Sequence, residues 1–69
     1  MLSAAETFLN AAGMARKLAA DYRAEASETT DDFRREVCLW EAEQADERAA
    51  WYSARASLFT PKLKRRKAA

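Results

Sequence analysis

Sixty-nine residues with one cysteine, no histidine and a formal net charge of +1 make one domain at most, and a chain this short buries only about 60% of the surface its unfolded form exposes. A lone Cys38 excludes an intramolecular disulfide, and without histidine the nitrogen and sulfur ligand sets of zinc and most transition metals are missing, so oligomerisation is the remaining remedy for a small core. One Gly and one Pro among abundant Ala, Glu, Arg and Lys is the composition of long helices, with no Val/Ile/Thr-rich strand segments; the expected class is all-α, with no metal or cofactor implied.

In chain order, Ser3 followed by Glu6 forms a capping box, in which the serine oxygen accepts an orphan amide and the glutamate reaches back. A helix is therefore predicted over about 4–26. Along it Phe8, Ala12, Ala15, Ala19, Tyr22 and Ala26 recur at spacings of four and three, flanked by Leu9 and Leu18. The small alanines of this stripe let another helix approach closely. Gly13 interrupts the pattern at a cost of roughly 1 kcal/mol against Ala, for which relief of crowding is one explanation.

The run 26–32 (Ala-Ser-Glu-Thr-Thr-Asp-Asp) breaks the periodicity, because Ser, Thr and Asp compete with a helix by bonding their own backbone. A turn is predicted at about 27–29. Thr29 with Asp32 reads as a second capping box, and Asp31 and Asp32 suit the positive end of a following helix dipole. One unbroken helix of nearly 60 residues is the rival, about 90 Å long and in need of a coiled-coil partner. The stripe keeps no single heptad register across 27–32, which favours a hairpin.

The second helix is predicted over about 30–59. Phe33, Val37, Trp40, Gln44, Trp51 and Leu58 fall in one narrow arc at about 100° per residue, the strongest periodic signal in the chain. The arc broadens toward Phe59, Tyr52, Ala45 and Cys38 and is interrupted by Arg48 and Arg55. Arg35, Ala42, Asp46 and Ser53 lie opposite, as an expected solvated back. Thr60-Pro61 ends the helix, since proline lacks the amide hydrogen and disfavours the α region before it, and 62–69 reads as a disordered basic tail.

Seven aromatic residues exceed what one interhelical seam covers when each buries about 150–250 Å². Pairing two hairpins into a four-helix bundle is the simplest remedy, so a homodimer is expected, with Phe8, Tyr22, Phe33, Val37, Trp40 and Leu58 as its core. Trp51 and Tyr52 are neighbours pointing about 100° apart. Either both line the dimer core or one serves an interface, where Trp, Tyr and Arg dominate binding energy. Trp51, Tyr52, Arg48, Arg55 and Phe59 are the candidate partner-binding residues.

Catalytic groups are scarce: no histidine, no glycine-rich phosphate loop and no serine in a nucleophile elbow. Cys38 between Val37 and Leu39 suits a buried, inert thiol. Glu43 and Glu47 share a helix face but lack the Glu-x-x-His partner of a di-iron bundle. With Glu41 and Asp46 they read as a solvated acidic face, and no calcium-loop spacing is present. The expectation is a protein that is not an enzyme. No stretch reaches the roughly 18 uncharged apolar residues of a membrane span, and the first residues lack the pattern of a secretory signal, so a cytoplasmic location is expected.

Charge is unevenly spread, with seven Lys/Arg against eleven Asp/Glu over residues 1–61, a balance of −4, and a tail of Lys62, Lys64, Arg65, Arg66 and Lys67. Such a tail neutralises phosphates without sequence preference, so an alternative role is that of a nucleic-acid-binding accessory protein acting through it. The acidic body is a poor surface for DNA. It suits a basic protein surface such as the DNA-binding face of a regulator, which favours an inhibitor competing with nucleic acid.

The Ala/Arg-rich segments 11–17 (Ala-Ala-Gly-Met-Ala-Arg-Lys) and 47–51 (Glu-Arg-Ala-Ala-Trp) on a helical-hairpin plan resemble the small early proteins of temperate phages of GC-rich bacteria. The whole chain is similar in size and plan to the quorum-sensing anti-activator of Pseudomonas phages, and more distantly to helical anti-CRISPR proteins. The resemblance implies a dimeric hairpin in the host cytoplasm that sequesters a LuxR-type transcription factor, with a pilus-assembly ATPase as a possible second target. It carries no residue roles across.

Overall fold

A computed structural model describes residues 2–59; Met1 and 60–69 lie outside the described residues, and with them the expected Thr60-Pro61 stop and basic tail. Two helices, α1 (Ala4–Glu28) and α2 (Asp32–Ser57), fold back on each other as an antiparallel hairpin measuring 53 × 28 × 13 Å. A helix with its side chains is about 10–12 Å across, so the hairpin is a single layer. Each helix has one neighbour and keeps most of its circumference in water. No helix among the described residues is long and apolar enough to cross a membrane.

α1 begins as the capping box requires: the Glu6 amide donates to Ser3 Oγ at 3.1 Å and the Ser3 amide donates to Glu6 Oε1 at 2.9 Å. The reversal lies at Thr29–Asp31, and the cap of α2 differs from the expected Thr29–Asp32 box. Asp31 is the N-cap, its Oδ1 accepting from the amides of Phe33 and Arg34 at 3.0 and 3.2 Å. A carboxylate satisfies two orphan donors and carries negative charge to the positive helix end. Thr29 instead closes α1, donating its amide to the Glu25 carbonyl at 3.1 Å, and its hydroxyl accepts from the Asp31 amide at 3.2 Å.

The seam between the helices is built almost entirely of alanine. On α1 the expected stripe faces inward, with Ala12, Ala15, Ala19 and Ala26 buried and Phe8 and Tyr22 half-buried. On α2 the buried residues are Cys38, Ala42, Ala45, Ala49 and Ala56, at the same alternation of four and three. Ala19, Ala42 and Ala45 form its centre, with Tyr22 packed against them. Among the described residues nothing larger than cysteine is buried.

This corrects the side of α2 that meets α1. Ala42, expected on the solvated back, is 0% exposed. Its companions also face α1: Asp46 pairs with Arg23, and Ser53 Oγ accepts from Arg16 at 3.4 Å. Arg35 donates to the carbonyls of Ala26 at 3.3 Å and Thr29 at 2.8 Å, tying α2 to the end of α1. α1 has no basic residue in its last turn; Arg35 supplies the cation from the next helix, where the dipole favours one. The physical reason is steric. Two ridges of alanine bring helix axes to about 8 Å, the close end of the normal range, and at that separation large side chains have no room between the backbones. Gly13 does not relieve crowding: a Cβ built on it meets nothing within 4 Å.

Candidate protein-binding surface

Because the alanine ridge takes the inner face of α2, the large apolar arc points elsewhere. Phe33 is 76% exposed, Leu58 64%, Trp40 57%, Trp51 52% and Val37 41%. At about 100° per residue the centre of this stripe lies roughly 140° from the seam. Four of the six residues expected as core, Phe33, Val37, Trp40 and Leu58, are thus outside the core of the hairpin, while Tyr22 packs against that core and Phe8 is half-buried at the open end. Apolar patches larger than a few hundred Å² on folded proteins are where protein, membrane or ligand contacts concentrate.

At the open end of the hairpin the aromatics gather. Phe8 reaches from α1 to stack on Phe59, with centroids 5.8 Å apart, and lies 6.2 Å from Trp51 and 6.3 Å from Tyr52. Trp51 and Tyr52 meet edge to face at 5.5 Å, and the Arg55 guanidinium sits 4.6 Å above the Trp51 ring. Trp51, Tyr52, Arg55 and Phe59, four of the five residues singled out as partner-binding, are therefore in one cluster. Edge-to-face and cation–π contacts hold such rings in a fixed arrangement.

The fifth, Arg48, is at the rim of an adjoining open depression of about 360 Å³ lined by Ala11, Met14, Ala15, Leu18, Arg48 and Tyr52. Met14 is the most exposed of its apolar residues at 74%. Leu18 flanks the α1 stripe in the sequence, whereas Ala11 and Met14 fall outside that stripe. Their spacing of three and four along one helix edge is the signal that identifies them. Chemically the depression accepts an apolar side chain, with Met14 as an adaptable wall and Arg48 placed to meet a carboxylate beside it.

Cys38 is buried in the seam, and desolvation pushes its thiol above the ordinary range, the Glu25 carboxylate adding to this and Arg34 opposing it. Glu43, Asp46 and Glu47 are exposed, and Glu41 is half-buried. Among the described residues no group of three or more His, Cys, Asp or Glu converges as metal ligands would. Compared with protein-family models, curated proteins and solved structures, the chain matches none.

Proposed function

We propose that this chain is a non-enzymatic, cytoplasmic protein-binding inhibitor, whose partner docks on the open end of the hairpin. The observation that carries the proposal is the aromatic cluster of Phe8, Trp51, Tyr52 and Phe59 beside the depression under Met14 and Leu18, with Arg48 and Arg55 at its edge. Ordered Trp and Tyr rings framed by arginine are the residue set that dominates binding energy at protein interfaces. The net negative body supports a basic partner. Together with the resemblance to phage anti-activators, this supports a DNA-binding regulator of the LuxR type as the partner, held away from its operator.

The test uses the full chain, immobilised in a nuclease-treated lysate of a GC-rich bacterial host and, separately, titrated into a purified LuxR-type regulator bound to operator DNA. The expected result is stoichiometric capture of the regulator and release of the DNA. Tyr52→Ala and Met14→Glu should each weaken binding by about 30-fold, as loss of a residue worth about 2 kcal/mol requires. Deletion of residues 62–69 should leave binding intact. Capture that vanishes with nuclease treatment, or with that deletion, would overturn the proposal and move the function to the tail.

A further inference from the structure

We propose that the outer stripe of α2 is covered by a second copy of this chain, the two α2 helices running antiparallel about a twofold axis between Ala45 and Asp46. The stripe continues the seam's alternation of four and three on a different face: Phe33, Val37, Trp40, Gln44, Glu47, Trp51, Ala54 and Leu58. This is the repeat that packs a helix along another helix, and α1 is already occupied on the far side. Phe33, Val37, Trp40, Trp51 and Leu58 together expose on the order of 600 Å² per copy, about 1,200 Å² for two, where specific interfaces begin.

The stripe is complementary to itself in one register. About that axis Phe33 faces Leu58 of the other copy, Val37 faces Ala54, Trp40 faces Trp51 and Gln44 faces Glu47. Every large apolar residue thus meets an apolar one. The polar pair falls in the middle, where the Gln44 amide can donate to the Glu47 carboxylate twice over. Such a polar layer fixes register and orientation. In a parallel, in-register pair Glu47 would instead face its own copy within the seam, with like charges opposed.

The flanks agree. On the side nearer α1 the edge residues are Arg34, Glu41, Arg48 and Arg55, and antiparallel helices set like edges together. Glu41 then meets Arg48 of the other copy twice; neither residue has an ion-pair partner among the described residues. Arg34 falls near Arg55, but each is already engaged, Arg34 with Glu25 and Arg55 over Trp51. On the other edge Glu36 meets Ser57 and Glu43 meets Ala50, so no two carboxylates are opposed. The assembly orders its helices α1, α2, α2, α1 as a curved layer, because stripe and seam are roughly 140° apart. Both depressions then open on the same face, with Glu41 of one copy completing the rim at Arg48 of the other. That last consequence rests on the function proposed above; the pairing itself does not.

Sedimentation equilibrium of the purified full chain across micromolar concentrations, with no partner present, tests the pairing whether or not the docking proposal holds. The wild type should be a dimer that dissociates on dilution. Trp40→Glu should be monomeric with unchanged helicity, since Trp40 is 57% exposed and lies on the face of α2 turned away from the alanine seam. Glu41→Arg and Arg48→Glu should each raise the dimer Kd by about tenfold, and the two together should return it to within about threefold of wild type. A monomeric wild type would overturn the proposal and leave the stripe to a different protein. A dimer indifferent to Trp40→Glu would place the interface elsewhere. A dimer sensitive to Trp40→Glu without rescue in the double charge exchange would overturn the antiparallel register.

Discussion

Replacing Ala42 by leucine puts the alanine seam to its most direct test. Ala42 is 0% exposed and packs with Ala19, Ala45 and Tyr22. Leucine and alanine have nearly equal helix propensity, so the substitution leaves α2 itself unharmed. The added isopropyl group has no cavity to enter, and the helices must separate or Tyr22 must move, at about 2–3 kcal/mol for overpacking. In a domain of this size each kcal/mol moves the melting temperature by about 4–8 °C, so a loss of roughly 10–20 °C is expected. Ala20→Leu, on the exposed side of α1, is the control, with a change within about 0.5 kcal/mol. The assay is thermal unfolding followed by helical circular dichroism at several protein concentrations, which separates loss of the hairpin from loss of any oligomer. If Ala42→Leu melts at or above the wild-type temperature, the helices do not meet along the alanines, and the outward assignment of the aromatic stripe falls with them.

Other substitutions address the caps and the backbone. Gly13 is exposed, has no positive φ and would meet nothing within 4 Å on gaining a Cβ, so Gly13→Ala should stabilise the chain by about 1 kcal/mol in denaturant unfolding; a loss of stability would reveal a close neighbour. Arg35→Ala should cost about 1–2 kcal/mol and speed amide exchange around 26–31, because the carbonyls of Ala26 and Thr29 lose a charged donor. Unchanged exchange there would show that the turn holds itself. Burial raises the Cys38 pKa in the folded state, so the folded chain holds that proton more tightly than the unfolded one. Its contribution to stability is fully present below the unfolded thiol's pKa and is lost as pH rises through the higher folded value. Cys38→Ala should flatten that alkaline slope, and native Cys38 should react with a thiol reagent only as fast as the hairpin opens. Rapid stoichiometric labelling of the folded chain would contradict the burial.

What the sequence determines here is local. The capping box at Ser3 and Glu6 is a matter of neighbouring atoms, the side chains of Thr29 and Asp31 take the backbone amides around the break, and the alanine stripe of α1 repeats at one spacing. Helix, break and helix follow from those terms. The pairing of the helices is not local, and α2 carries two stripes that both satisfy helical periodicity: one large and aromatic through Phe33, Trp40 and Trp51, one small through Cys38, Ala42, Ala45, Ala49 and Ala56. Ranking by side-chain size selects the first, because burial of large apolar area is the usual driving force. Packing selects the second, because the partner ridge on α1 is itself alanine and two small ridges bring the backbones together. Likewise Arg35, polar by type, belongs in the seam only because the carbonyl end of α1 arrives beside it. Only the tertiary structure, by placing alanine on the inner face, leaves the aromatic stripe and the open-end cluster on the outside of the hairpin.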